Sequence, residues 1–282
     1  MVNRTSLLNK IRKDISPKVQ SPSRVAQVIL GEVLDRPRAW LLTHPDPGLT
    51  PVQQRQLSAM IQDLKQGIPL PYVIGHWEFY RADFVVSPSV MIPRPETEYL
   101  VKHALGWLED RPSRRKAADI GTGTGCISIS LAREIPDLKI LAGDLSWDAL
   151  QIARQNIHQH RVAHQIDLIN MDLLSGIRTR LDLITANLPY IPTRKLSRLT
   201  VANHEPRIAL DGGQDGLQTI GRILETAPPY LTPGGLLLLE IDEDTGEESL
   251  QLASNLGSAF QVQLEQDLAG QDRYLILHKE GQ

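Results

Sequence analysis

The sequence predicts a doubly wound α/β fold: a mostly parallel seven-stranded sheet covered by helices, preceded by a small all-helical domain and a β-hairpin connector. Three observations carry this expectation. From about residue 93 short apolar runs alternate with helix-length segments, one of these runs passes through a glycine turn straight into a helix, and residues 1–66 space their apolar side chains at helical intervals broken by turn residues. The boundaries read as 1–75 for the helical part, 76–92 for the connector and 93–282 for the α/β part.

The elements follow in order. "SPSRVAQVILGEVL" opens on Ser-Pro, a helix start, and puts Val25, Val28, Ile29 and Val33 on one face. "HPDPGLTPVQQRQLSAMIQDL" begins with a proline-rich turn, after which Thr50 and Pro51 read as N-cap and first helical residue; Leu57, Met60, Ile61 and Leu64 form the stripe behind them. "GIPLPYVIG" ends this part. "HWEFYRADFVVSPSVMI" is aromatic and β-branched with partial alternation, as a hairpin requires. In "RPETE", Pro95 is expected in the first turn of the next helix, with Glu96 and Glu98 at its positive end; the segment reads either as a plain helix start or as a lid over a cofactor. Seven strands are expected at 117–120, 138–143, 166–170, 181–187, 235–241, 260–265 and 273–278.

Composition limits the classes of function. The chain has 282 residues, 41% hydrophobic and 22% charged, with a net charge of −3, which suits a folded globular protein without a nucleic-acid-binding tail. Cys126, the single cysteine, excludes an internal disulfide framework and reads as a small core residue in a reducing compartment. No signal-peptide core or membrane-length apolar run is present, so a cytoplasmic protein is expected. The eight histidines form no metal-ligand pattern, and no metal is expected. Residues 1–75 carry a net +5 and the remainder −8, which suggests two parts with different partners.

"AADIGTGTGCISISLA" combines strand, glycine turn and helix. Gly121, Thr122, Gly123, Thr124 and Gly125 form a loop that lets a ligand approach the backbone, near the unpaired N–H groups of the following helix. Its spacing is G-x-G-x-G, because Cys126 stands where a dinucleotide fingerprint has its third glycine. Asp144 ends the next strand 23 residues beyond Gly121, where an acidic group accepts hydrogen bonds from ribose hydroxyls; capping the next helix, a role also open to Ser146, is its alternative. Asp172 closes another strand, and Leu173 beside it can flank an adenine ring. A loop lacking the pyrophosphate fingerprint, with acidic groups for ribose and base, suits S-adenosylmethionine.

The fourth strand ends in "ANLPYI". In a doubly wound sheet the first and fourth strands flank the switch point, so Asn187 faces the glycine loop across the cofactor crevice. A planar amide or exocyclic amino nitrogen is a poor nucleophile because its lone pair is delocalised. Two fixed acceptors for its N–H bonds, the Asn187 side-chain oxygen and the carbonyl of Leu188, hold it and favour electron density on nitrogen. Pro189 stiffens the loop and Tyr190 offers a flat wall.

On "VMIPRPETEYLV", "DIGTGTGCISISLA", "NLPYI", "EPRIALDGGQDGL" and "DLAGQDRYLIL" the sequence resembles the HemK/PrmC family of protein-glutamine methyltransferases, from about residue 68 to 278. The resemblance implies the class I methyltransferase (Rossmann-like) form of the sheet. It implies methylation of the glutamine amide in the Gly-Gly-Gln loop of class I peptide chain release factors, contacted by the helical domain. It also implies that Gly121 to Gly125 and Asp144 bind S-adenosylmethionine, that Leu173 lies near adenine, and that Asn187 to Tyr190 hold the glutamine. The family pattern is Asn-Pro-Pro-Tyr, so Leu188 departs from it: the carbonyl remains, ring rigidity is lost, and looser pre-organisation is expected. Arg81, Asp242 and Thr245 also depart, from Gly, Gly and Gln. Two alternatives stay open: an adenine-N6 methyltransferase acting on RNA or DNA, since such enzymes also carry Asn-Leu-Pro-Tyr, and a non-catalytic scaffold. The acidic α/β part argues against direct nucleic-acid binding.

Overall fold

The computed structural model describes residues 4–16, 19–43 and 48–281; residues 44–47 of the proline-rich turn lie outside them. The chain divides into two compact units, Met1–His76 and Trp77–Gln282. The first holds helices α1 (Arg4–Ile15), α2 (Pro22–Leu34), α3 (Arg38–Thr43), α4 (Pro51–Lys65) and α5 (Leu70–Ile74). Ile11 and Ile15 of α1 pack with Val25, Ile29 and Val33 of α2 and Leu57 and Leu64 of α4, so the helical spacing becomes one shared core. Thr50 caps α4 reciprocally: its hydroxyl accepts from Gln53 N at 3.3 Å, and Gln53 Oε1 accepts from Thr50 N at 3.0 Å. Ser21 adopts a left-handed conformation and supplies no side-chain cap, so Pro22 alone marks the start of α2.

Strands β1 (His76–Phe79) and β2 (Ala82–Val85) make a two-stranded hairpin. Its turn residues, Tyr80 and Arg81, have φ of 45° and 57°, the mirror-image turn that matches strand twist and normally takes glycine at the second place. Buried Asn156 ties β2 inward: its Oδ1 accepts from Val85 N at 2.7 Å, and its Nδ2 donates to Val85 O and Thr124 O.

Next come α6 (Thr97–Glu109), β3 (Lys116–Ile120), α7 (Cys126–Glu134), β4 (Lys139–Asp144), α8 (Trp147–Gln159), β5 (Ile166–Asn170) and β6 (Leu181–Asn187). The chain continues through α9 (Thr193–Leu196), α10 (Gln218–Thr226), β7 (Leu231–Glu240), α11 (Gly246–Ser254), β8 (Phe260–Gln266) and β9 (Asp272–Lys279). The helix after "RPETE" starts later than expected. Pro95 lies in a turn before it, because Thr97 N, Glu98 N and Tyr99 N bond three residues back, and the first full helical residue is Thr97.

Strands β3 to β9 form one seven-stranded sheet in the order β5-β4-β3-β6-β7-β9-β8, the first five parallel and β9 antiparallel to both its neighbours. Alternate residues feed opposite faces. Ala117, Leu183, Leu236, Leu238 and Ile276 pack under α6 and α7, while Ala118, Ile184, Leu237, Leu239 and Leu277 pack under α10 and α11. That burial on both sides is why the central strands read as unbroken apolar runs. Among the described residues no helix is long and apolar enough to cross a membrane.

Arg81 gains little in return for its positive φ: its guanidinium lies 5.6 Å from the Tyr80 ring centroid and 4.0 Å from Glu134, both at the surface. Arg81→Gly is therefore expected to raise stability by about 1 kcal/mol, read as a higher urea midpoint with unchanged slope. An unchanged or lower midpoint would mean those contacts offset the strain.

Candidate active site

Strand order reverses between β3 and β6, and the loops leaving their carboxyl ends part to open a crevice. Register fixes what lines it. Ile120 pairs with Gly143 of β4 on one side and Ala186 of β6 on the other, so the glycine loop, Asp144 and Asn187 emerge side by side. A cavity of about 320 Å³ lies there, lined by Gly121, Thr122, Gly123, Thr124, Asp144, Asp172, Leu173, Asn187, Leu188 and Pro189. That volume is at the lower end of small-molecule sites, roughly 300–1,000 Å³. Two of the expected residues do not line it. Gly125 is turned away, at the start of α7, where a Cβ would press on Ile129, and Tyr190 is tied down behind the loop.

The glycine loop has two distinct requirements. A Cβ on Gly121 would lie 3.0 Å from Leu188 Cδ2, so a bare backbone lets the two loops close-pack. A Cβ on Gly123, at φ 55°, would meet nothing nearer than 4.0 Å and would occupy the open cradle itself. Beneath the loop, buried Asp119 accepts from the hydroxyls of Thr122 (2.7 Å) and Ser128 (2.6 Å) through Oδ2 and of Thr185 (3.2 Å) through Oδ1. Burial raises its pKa and those hydroxyl bonds oppose the rise. Asp119 thus fastens the loop to α7 and β6.

Asp144 does not cap α8; Ser146 does, accepting from Ala149 N at 3.2 Å. Asp144 Oδ2 accepts from Gly123 N (2.9 Å) and Oδ1 from Ser146 N (2.8 Å), which leaves a lone-pair position on each oxygen for a pair of neighbouring hydroxyls. Burial pushes its pKa up, against those backbone bonds. Asp172 lies two residues past β5 and pairs with Arg222 at 2.6 Å, both half-exposed. Leu173 follows at φ 49°, its side chain against the cavity. These groups fit a nucleoside: paired acceptors for a diol, an apolar flank for a base, and open backbone for a tail.

The acceptor side is built around a group the sequence reading passed over. Glu240 ends β7 as the register partner of Asn187 and is 1% exposed. Its Oε2 accepts from the Thr97 hydroxyl at 2.7 Å, and its Oε1 accepts from the Tyr190 hydroxyl at 3.0 Å. Thr97 Oγ1 in turn accepts from Asn187 Nδ2 at 2.9 Å, so the other end of that amide, Oδ1, is the one offered to the cavity. Burial raises the Glu240 pKa, opposed by the Thr97 and Tyr190 bonds, and burial beside Glu240 lifts the Tyr190 phenol well above its usual range. The Tyr190 hydroxyl thus fastens the loop to Glu240, and the residue is not among those lining the cavity.

Leu188 is 5% exposed and packed over Gly121, so packing constrains the loop where a proline ring was expected to be missed. The "DGGQDG" segment grips the same stretch from outside: Ile191 N donates to Leu210 O at 3.0 Å and Gly212 N to Ile191 O at 2.9 Å. A Cβ on Gly216 would fall 2.3 Å from Tyr190 O. From the segment just before "DGGQDG", Ile208 and Ala209 line the cavity. The "IPRPETE" arm contributes Pro93 and Thr97 to the lining, and Arg94 reaches buried Glu205 at 2.6 Å. Cys126 is a buried thiol whose pKa burial lifts to about 12, which suits packing and not nucleophilic attack. Departing residue Asp242 accepts from Asp244 N, and Thr245 from its hydroxyl donates back to Asp242 O, outside the cavity.

Three residues, Thr97, Asp119 and Glu240, were not singled out from the sequence as site residues. The signal for Glu240 was present: "LLLLE" ends a buried strand in a charge, at the same sheet edge as Asp144 and Asn187.

Known proteins agree with this architecture. Residues 6–75 match the family described as PrmC N-terminal domain, and residues 97–204 match the methyltransferase small domain. A release factor glutamine methyltransferase of Moorella thermoacetica is 37% identical over 99% of this chain and 99% of its own. One from Koribacter versatilis is 40% identical over 78% of this chain and 79% of its own. A crystal structure of a methyltransferase from Pyrococcus furiosus shares the fold with a TM-score of 0.53 at 20% identity, covering 72% of this chain and 91% of that one. With the sheet, the glycine loop and the Asn187 pocket in place, and with identity of this extent along nearly the whole sequence, the chain belongs to the release factor glutamine methyltransferase family.

Proposed function

We propose that this protein transfers the methyl group of S-adenosylmethionine to the side-chain amide nitrogen of the glutamine in the Gly-Gly-Gln loop of class I peptide chain release factors, in the cytoplasm. The helical unit, with its net positive charge, is the part proposed to contact the release factor. The observation that carries the reading is the fixed orientation of Asn187, whose Nδ2 is held by Thr97 so that Oδ1 faces the cavity shared with Gly123 and Asp144.

S-adenosylmethionine, when bound, would supply an electrophilic methyl on a sulfonium. Gly121 and Gly123 admit its amino-acid end to the backbone, both Asp144 oxygens take its ribose hydroxyls, and Leu173 flanks its adenine. Asn187 Oδ1 and the Leu188 carbonyl accept the two N–H bonds of the substrate amide. Two acceptors hold the nitrogen in line and enrich it in electron density, with no base needed beforehand. As the nitrogen–methyl bond forms the sulfur–methyl bond breaks, leaving S-adenosylhomocysteine, and the nitrogen, then positively charged, gives its proton to water.

Incubation with labelled cofactor separates this reading from its alternatives: label on the release factor supports it, label on RNA identifies an adenine methyltransferase, and label on neither leaves a scaffold. Asn187→Ala is expected to lower kcat/KM for methyl transfer ~100- to 1,000-fold, the size of loss seen for a single transition-state hydrogen-bonding group. Affinity for S-adenosylmethionine by calorimetry should stay within several-fold; near-normal turnover refutes the role given to Asn187. Leu188→Pro keeps the carbonyl and is expected to be at least equally active in the same assay. A large loss there would mean that the packing of Leu188 over Gly121 sets the loop geometry.

A further inference from the structure

The polar groups behind Asn187 form a chain with only one direction. Both Glu240 oxygens accept hydroxyls, from Thr97 and from Tyr190, a geometry that fits the ionised form against the pull of burial, and a carboxylate can only accept. The Thr97 hydroxyl has one proton, and that proton goes to Glu240 Oε2. Thr97 Oγ1 is then left to accept, and it does so from Asn187 Nδ2. An amide whose donor end is engaged must present its acceptor end. The other Glu240 oxygen takes the Tyr190 hydroxyl, so the residue three places after Asn187 is fastened to the same anchor. Thr97, Glu240 and Asn187 come from three elements, the start of α6 and the ends of β7 and β6, so none of this order is a local accident of one loop.

We infer that Glu240 is a positioning residue that sets the hydrogen-bond polarity of the acceptor site, acting through Thr97 on the Asn187 amide. This rests on the reading of Asn187 as the group that holds the substrate nitrogen. The polarity has a consequence for specificity. A site that presents only acceptors admits a carboxamide through its two N–H donors and rejects the carboxylate of a glutamate, which would set oxygen against oxygen. Without the carboxylate, the Thr97 proton is free to turn toward Asn187 Oδ1. The amide would then flip and offer its own N–H bonds to a substrate that also has only N–H bonds to give.

The test compares Thr97→Val, Thr97→Ser and Glu240→Gln. Valine keeps the shape of threonine and removes the hydroxyl, whereas serine keeps the hydroxyl and removes the methyl. If Thr97 merely packs, valine is the milder change; if it transmits polarity, serine is. The expected result is a kcat about tenfold lower or worse for Thr97→Val and within about threefold of wild type for Thr97→Ser. KM for S-adenosylmethionine should be unchanged in both. Glu240→Gln should lower kcat, and in the double variant with Thr97→Val the two losses should combine to less than their product, because the Thr97 hydroxyl carries part of both while the Tyr190 bond is touched by Glu240→Gln alone. The reverse order for valine and serine overturns the inference. So does a Glu240→Gln enzyme indistinguishable from wild type, or a double variant whose losses multiply.

A second readout needs no substrate. The side-chain amide protons of Asn187 in 15N-labelled protein should be well separated and slow to exchange with solvent in wild type and Thr97→Ser, and fast-exchanging in Thr97→Val. Equal exchange in all three overturns the inference even if the kinetics differ. Should the wild-type protein methylate no release factor, the proposed function fails while this spectrum still reports which end of the amide Thr97 holds.

Discussion

Parallel pairing of β3 with β6 is the constraint on which the rest of the site depends. Ile120 opposite Ala186 leaves Gly121 and Asn187 as the next residues out of two neighbouring strands, and a Cβ on Gly121 would lie 3.5 Å from Asn187 O. The order of the sheet reverses at this pair, so the two chains must diverge into loops, and the cavity is the space they leave. A one-residue slip in register would exchange the face of every side chain in β6 and carry Asn187 out of the crevice. Apolar burial on both faces resists such a slip. Leu183 belongs to one core and Ile184 to the other, each wholly buried, at roughly 1.5–3 kcal/mol per side chain of that size.

Two buried carboxylates then convert this framework into fixed polar geometry. Asp119, inside β3, takes three hydroxyls and shapes the cofactor side; Glu240, at the end of β7, takes two and shapes the acceptor side. Among the described residues neither makes a close ion pair with a base, although the charge of Arg273 favours ionised Glu240. Each is compensated by hydroxyl donors, and for both, burial favours the neutral acid while those donors favour the ionised form. The cost is justified by direction: an acceptor-only group buried among hydroxyls dictates where each proton points. Asn156 plays a neutral version of this part, joining Val85 of the hairpin to Thr124 of the glycine loop.

Much of this was legible in the sequence because the signals are local. Seven apolar runs became the seven strands, the Gly121–Gly125 spacing distinguished the loop from a dinucleotide fold, and Thr50 before Pro51 located a cap. The polar residues ending β4 and β6 pointed to one edge of the sheet. What the sequence concealed was pairing between distant residues. Nothing in "RPETE" says that Thr97 bonds Glu240, 143 positions away, or that Tyr190 turns its hydroxyl to the same carboxylate. Pro95 was expected inside a helix because proline favours first turns, but tighter three-residue turns intervene and α6 begins at Thr97. Leu188 suggested a slack loop, and only the fold reveals Gly121 beneath it.

The central claim concerns one atom, the amide nitrogen of a glutamine held at Asn187, and fragmentation mass spectrometry of the reacted release factor addresses it directly. The protein, S-adenosylmethionine and a class I release factor are incubated, and the peptide spanning Gly-Gly-Gln is sequenced in the spectrometer. A single added methyl is expected, confined to the glutamine and sharply reduced at equal incubation time when Asn187 is alanine. A methyl on any other residue, or an unmodified peptide from a folded, cofactor-binding enzyme, would contradict it.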